Sequence, residues 1–413
     1  MKKWFVFVLL LTSCGDFLNT KPTVITAPAT SNPNLQKNPF PPGYENPNEG
    51  SFSEEKMLVN IGVNVISKRV KKFSLQAELL ADTLSSCRDL GEAREQWKRT
   101  ALAFHTVDAF PVGPMTDNGR FLLDNLYAWP YLDTCGIDNE VAKGAVSGKY
   151  SDQLLYTLKG LGAMEYLLFE SSLGSSCNLN RYPEVRAWLE KSPVQKEKDR
   201  CRFAGFLAKD FSAKSKILDQ SWDPNEANFT KTLIDGSRYE SVKSATNALT
   251  DSLFSIEKMK DLRMGKPLGL HKDCTNESKK CVESLEHPYA KISKEALEAR
   301  LTGFRDVFFG SASSEEKAFG LDDFLVSRGT GATKDAMQGY LTDASRSIRD
   351  LGELRSEISS MNAADCAATT RENRLVPVCA AFQDLRAITS LWKIEVMTAL
   401  ALRAPADHAG DND

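Results

Sequence analysis

Apolar residues returning with helical period, over runs too long for most globular helices, leave this chain few folds to choose from. Ser53-Glu54-Glu55 reads as a helix start, and Leu58, Ile61, Val65, Val70, Leu75 and Leu79 then carry one stripe to about Cys87. The same reading predicts helices over 92–110, 118–128, 151–169, 194–219, 227–262, 294–308, 334–360 and 372–401. Period-two alternation between hairpin turns, the mark of strands, is hardly visible. Several of these segments exceed ~25 residues, the scale of helical bundles. A chain of 413 residues is too long for one small core. Ser221-Trp222-Asp223-Pro224 reads as the break between two bundles. The expectation is an all-α protein of two packed helical bundles, 51–223 and 224–401, with a polar tail at 402–413.

The N-terminus speaks of export. Lys2 and Lys3 precede an apolar run from Trp4 to Leu11, short for a membrane span and right for a signal peptide over 1–13. The run ends in Leu11-Thr12-Ser13-Cys14, which resembles the lipobox of bacterial lipoproteins, whose cysteine is diacylated and becomes the mature N-terminus. The alternative is an ordinary secretory signal with a chance cysteine. Residues 15–50 are dense in Pro, Asn and Thr and read as a disordered tether of roughly 30–40 Å reach. Localisation follows as the bacterial cell envelope, on a membrane through the lipidated N-terminus at its periplasmic or outer-membrane face.

Charge excludes one partner class. Lys and Arg number 52 against 55 Asp and Glu, a net charge of −3, so no basic face calls for nucleic acid. Of nine cysteines, Cys14 is set aside, and eight remain in an exported chain, where disulfides are the default. No C-x-x-C pair supports a zinc knuckle. Cys274/Cys281 and Cys366/Cys379 look like loop staples, which leaves Cys177/Cys201 and Cys87/Cys135.

Three ordered stretches carry a resemblance. The first is Trp97, then Phe110-Pro111-Val112-Gly113-Pro114, Arg120 and Trp129-Pro130. The second is KGLGAMEYLLFE at 159–170. The third runs from Leu262-Arg263-Met264-Gly265-Lys266-Pro267-Leu268-Gly269 to Glu286-His287-Pro288-Tyr289 and a helix ending at Gly310. In this order they resemble the imelysin-like family of bacterial envelope proteins, from about residue 53 to the C-terminus. The resemblance implies two helical bundles with a site between them. That family is classed as a metallopeptidase on a Gly-x-His-x-x-Glu signature, and it includes iron-regulated and iron-transport proteins.

The signature has lost its histidine here. A His and a Glu three apart share one helix face and can share a metal. In this chain the positions read Gly160-Leu161-Gly162-Ala163-Met164-Glu165, with Gly162 in the histidine's place. His105, His271, His287 and His408 are the other candidates. His105 reads first as a satisfied helix histidine, His271 lies beside the Cys274 loop, and His287 precedes a proline. H-E-x-x-H and G-x-S-x-G are absent, and Asp322-Asp323 reads as a solvated helix start rather than an acid–base pair.

Glu165 among Leu161, Leu168 and Phe169 needs a partner if it is buried. It is either a structural clamp on another helix or a ligand contact, with Arg263 and Arg120 as candidate partners. Gly160 and Gly162 would let a ligand or backbone approach the helix, and Gly265, Pro267 and Gly269 would form a rigid turn facing it. The expected site is therefore Glu165, Gly160, Gly162, Arg120, Arg263, Gly265, Pro267 and Gly269, with open space beside Gly162 and no histidine from elsewhere filling it. The function expected is a non-catalytic envelope binding protein linked to iron uptake, taking a small ligand or an envelope protein. Iron or another divalent metal is a candidate cofactor, and catalytic zinc is not expected. The alternatives are a metallopeptidase of the family and a structural or partner-docking lipoprotein.

Overall fold

The computed structural model describes residues 39–144, 153–275, 279–312 and 317–402. The signal peptide, Cys14 and most of the tether, with all but the first residue of the tail, lie outside the described residues. Within them there are helices and no strand.

The periodic segments fold as helices because their starts are capped and their apolar stripes are long enough to bury. Helix α1 (Glu54–Asn60) begins at Ser53, whose hydroxyl accepts from the Lys56 N–H at 3.3 Å. It runs through a wider, π-wound stretch (Ile61–Ser67) into α2 (Lys68–Leu84). Asp89 caps α3 (Leu90–Asp108) through the Glu92 N–H at 3.0 Å. There follow α4 (Asp117–Leu126), α5 (Gly160–Phe169) and α6 (Pro193–Trp222). The second half holds α7 (Val242–Leu253), α8 (Ser293–Phe308), α9 (Gly331–Arg349) and α10 (Pro377–Leu391).

Several expected helices are shorter than their periodicity suggested, each for a local reason. The stretch expected over 227–262 is interrupted at Gly236 (φ +74°), and it resumes as α7 and a π-wound segment (Met259–Gly265) that carries Arg263. That expected over 334–360 stops at Arg349 and restarts at Leu354. That expected from 372 begins at Pro377, the residue best suited to a first turn. Of the helix expected over 151–169, the described residues show α5 at Gly160–Phe169, preceded by a single turn at Tyr156–Leu158. Gly160 is therefore the first residue of α5 and not an interior one. Its φ is +74°, and a Cβ there would lie 2.4 Å from the Leu126 carbonyl oxygen.

Packing sorts the helices into two groups. Helix α2 lies along α3 and α6, with α5 against α6 and α3; α9 packs on α10 and α8. Helix α8 also packs on α3, which joins the groups, and residues 38–413 form one compact unit. At the α3–α8 crossing the backbones touch: a Cβ on Gly303 would sit 2.1 Å from the Thr106 carbonyl oxygen.

The disulfides staple this arrangement. Cys274–Cys281 and Cys366–Cys379 close short loops. The other four cysteines pair as Cys87–Cys201 and Cys135–Cys177, correcting the pairing by nearness in sequence. The reason is tertiary: α2 lies along α6, which carries Cys201 to the end of α2, 114 residues from Cys87.

Candidate functional site

Two helices bury charge on stripes that should be apolar. Helix α8 sets Arg300 among Ala296, Leu297, Leu301 and Phe304, and α3 sets His105 and Asp108 beside Phe104 and Val107. The close approach at Gly303 brings these stripes together. The Arg300 guanidinium then donates through Nε to Asp108 Oδ2 (2.9 Å) and through Nη1 and Nη2 to Glu286 (2.6 and 2.8 Å). Arg263 Nε (3.1 Å) and the Tyr127 hydroxyl (2.9 Å) also donate to Glu286 Oε1. Such a two-pronged buried pair holds because every charged atom has a partner.

A chain of imidazoles leads away from it. Arg300 Nη2 donates to His105 Nδ1 at 2.7 Å, and a guanidinium can only donate. The His105 proton therefore sits on Nε2, which faces His287 Nε2 at 2.6 Å. That makes His287 Nε2 the acceptor and puts its proton on Nδ1, which donates to Glu165 Oε2 at 2.7 Å. The relay Arg300 → His105 → His287 → Glu165 has each tautomer fixed by the bond before it. Around it, Tyr127 stacks on His287 (ring centroids 5.7 Å apart) and Trp97 meets it edge-on (5.4 Å).

Glu165 is held at the far end. Its Oε1 accepts from the backbone N–H groups of Tyr289 and Ala290, both at 3.0 Å. The turn that aims these donors carries His287 at φ +54°, a left-handed conformation unusual for a residue with a side chain. The carboxylate is fully satisfied, so it orients His287 as the second partner of an imidazole commonly does.

Burial sets the charge states. Burial, with Arg300 beside it, pushes the His105 imidazole down to about 3, so it is neutral. Burial pulls the Glu286 carboxyl up, but Arg300 and Arg263 outweigh it and hold the group well below its ordinary range. Asp108 is lowered in the same way, with burial opposing and Arg300 prevailing. Burial and the neighbouring Glu286 raise the Tyr127 phenol well above its usual value, so it stays a donor.

A cavity of about 250 Å³ opens onto the end of the relay, lined by Gly162, Glu165, His287, Tyr127, Lys159 and Lys266 among others. At Gly162 a Cβ would meet only Leu132 at 3.4 Å and Tyr127 at 4.0 Å, so there is room beside it. No His287 atom comes within 4 Å of that Cβ position, and His287, from a segment 122 residues on, reaches Glu165 instead, a contact the sequence reading did not anticipate. The proposed partners of Glu165 are corrected. Arg263 pairs with Glu286 and Asp108 and lies over the Trp129 ring at 4.9 Å. Arg120 pairs with Asp124, at 3.4 Å. Of the rigid turn only Lys266 reaches the cavity: Gly265 abuts Phe382, Gly269 (φ +80°) lies against the Lys279 backbone, and the Pro267 carbonyl accepts from the Cys281 N–H at 3.0 Å. Gly160 touches backbone rather than the cavity, because its φ and the Leu126 carbonyl leave it no other role.

The family model for imelysin, peptidase M75, matches residues 67–391, most of the chain. The protein belongs to the imelysin family. Its fold is similar to the crystal structure of an imelysin-like protein from Psychrobacter arcticus 273-4, at 16% identity, with 86% of this chain and 98% of that one covered and a TM-score of 0.61. It is similar also to an iron-regulated protein A precursor from Parabacteroides distasonis ATCC 8503, at 16% identity, 82% and 95% coverage and a TM-score of 0.60. No curated protein matches the sequence.

A peptidase family name makes a catalytic metal the group to test against these residues. His105, Glu286 and His287 each bring a ligand atom within 4.8 Å of the others. His287 gives its Nδ1–H to a carboxylate as a metal-binding imidazole does, but its Nε2 already accepts from His105. His105 is oriented the wrong way round, since Arg300 occupies Nδ1 and leaves the proton on Nε2. Glu286 has both oxygens committed to Arg300. All three groups are thus engaged, where a catalytic zinc takes about three protein ligands. The donor set as arranged does not fit such a metal.

The sequence reading missed His105, Asp108, Tyr127, Glu286, His287 and Arg300 as site residues. A signal existed for some of them. Arg300 falls between Leu297 and Leu301 on an apolar stripe, and Asp108 falls four after Phe104, so each is a charge at a position that should be buried.

Proposed function

We propose that this imelysin-family chain is a non-catalytic binding protein of the bacterial cell envelope, tethered to a membrane through a lipidated Cys14 and serving iron acquisition. Its ligand enters the cavity beside Gly162 and meets His287, Tyr127 and Glu165. The observation that carries this reading is the fixed relay ending at that cavity. It presents a pre-oriented imidazole next to open space, which suits recognition, while the committed His105 and Glu286 do not suit metal-assisted hydrolysis. The iron link rests on the family and on the relative described as iron-regulated. The membrane link rests on Leu11-Thr12-Ser13-Cys14, and no helix among the described residues is long and apolar enough to cross a membrane.

Native mass spectrometry with elemental analysis of the protein purified from envelopes tests this. A co-purifying small molecule or iron chelate that is lost in Gly162→Leu, which fills the cavity, is the expected result. Cys14→Ala should move the protein from the membrane to the soluble envelope fraction. The metallopeptidase reading keeps one observation, the nearness of His105, Glu286 and His287. Zinc-dependent peptide cleavage abolished by His287→Ala would replace the binding reading with it.

A further inference from the structure

We propose that the groove beside Arg120 is a second binding site, built for a planar aromatic monocarboxylate. Residues 127–130 form a wall shared by two spaces: the cavity beside Gly162 on one side, and on the other a groove of about 860 Å³. The groove is lined by Arg120, Arg238 and Arg263 and by the rings of Trp129, Tyr131 and Tyr239. Nothing in the relay uses Arg120 or Arg238.

Three observations point to the ligand. The first is backbone: Asn118, Gly119 and Arg120 are successively left-handed, at φ 53°, 67° and 67°. Asn and Gly tolerate this region, whereas arginine has no preference for it, and such outliers cluster at ligand clamps. What the conformation achieves is to set the Arg120 side chain on the groove, where its ion pair to Asp124 is a long one (3.4 Å). The second is the pairing of guanidinium with ring. Arg263 lies over Trp129 at 4.9 Å, and Arg238 over Tyr239 at 5.8 Å while it pairs with Asp117. A guanidinium edge offers two parallel donors that match a carboxylate, and exposed ring faces accept a planar group beside it. The third is charge. Asp108, Asp124 and Asp251 line the groove together with Arg120, Arg238, Arg263, Arg300 and Lys258, so most of the positive charge is balanced within the lining and the small excess suits a single carboxylate. Tyr131, 68% exposed, and Tyr156, 43% exposed, stand at the groove as further ring surface.

Isothermal titration of the intact chain with salicylate, its neutral isostere salicylamide, and citrate tests the proposal. Salicylate is expected to bind saturably, at least about tenfold more tightly than either comparison compound, as loss of a charge-assisted hydrogen bond implies. Arg120→Gln should weaken salicylate about tenfold, and Arg238→Gln, at a site of ordinary backbone, serves as the second variant should Arg120→Gln fail to fold. Gly162→Leu should leave salicylate binding unchanged, which separates this groove from the cavity of the proposed function. Absence of saturable salicylate binding, equal binding of salicylamide or citrate, or undiminished binding in the arginine variant that folds would overturn it. So would loss of salicylate binding in Gly162→Leu.

Discussion

The neutral state of His105 makes acid the perturbation that should expose the relay. In the folded protein this imidazole is pushed from 6.5 down to about 3, by burial first and by Arg300 second. A group whose folded value is depressed in this way stabilises the fold above the unfolded value. That stability drains away as pH falls from about 6.5 towards about 3, since the unfolded chain takes up a proton the folded chain refuses. Each unit of difference amounts to ~1.4 kcal/mol, so between about pH 7 and about pH 5 residue 105 alone should remove about 2 kcal/mol. The assay is urea unfolding at both pH values for the wild type and for His105→Gln, which keeps a donor near the Nε2 position and cannot titrate. The variant should be less stable at neutral pH, because Arg300 loses an acceptor, yet its loss on acidification should be smaller by about 2 kcal/mol. If wild type and variant lose stability in parallel, His105 is not held neutral by its surroundings and the tautomer assignment along the relay fails with it.

Other perturbations follow from the same structure. Arg300→Met should leave Glu286 and Asp108 buried without their main partner and cost ~3–5 kcal/mol in chemical unfolding; a cost under 1 would contradict the network as described. Replacing Cys87 and Cys201 together by serine opens a loop of 114 residues and should cost about 4–5 kcal/mol, against ~2–3 for the Cys274–Cys281 pair with its separation of 7, both read by non-reducing denaturant unfolding. Asp322 lies in the first turn of the helix Leu321–Ser327, as its sequence suggested, but it is half-buried and pushed up to about 7 by burial and then by Asp323. Its raised value favours the fold at acid pH, and that contribution is lost as pH rises from about 4 through about 7. Asp322→Asn should therefore gain about 1–2 kcal/mol relative to wild type at pH ~8 and little near pH ~4.

Local pattern settled much of this molecule before any contact was known. Helical period and the Ser53 cap placed α1 and α2, and the same period placed the bodies of α3 and α6 to within a few residues of their ends. These are interactions within a few residues, so the sequence alone carries them. The missing histidine at Gly162 is equally a matter of reading one position. The rest needed the fold, because its partners are far apart along the chain. His105 meets His287 across 182 residues and Arg300 across 195, and no periodicity records such a meeting. It depends on how closely α8 can lie on α3, which Gly303 sets by the absence of a side chain. It depends also on a left-handed His287, whose turn offers two backbone N–H groups to Glu165. An imidazole judged by its sequence neighbours, a proline on one side and a glutamate on the other, gives no hint of this. Which residues are helical was fixed by near neighbours; which histidine reaches Glu165 was fixed by how the helices pack.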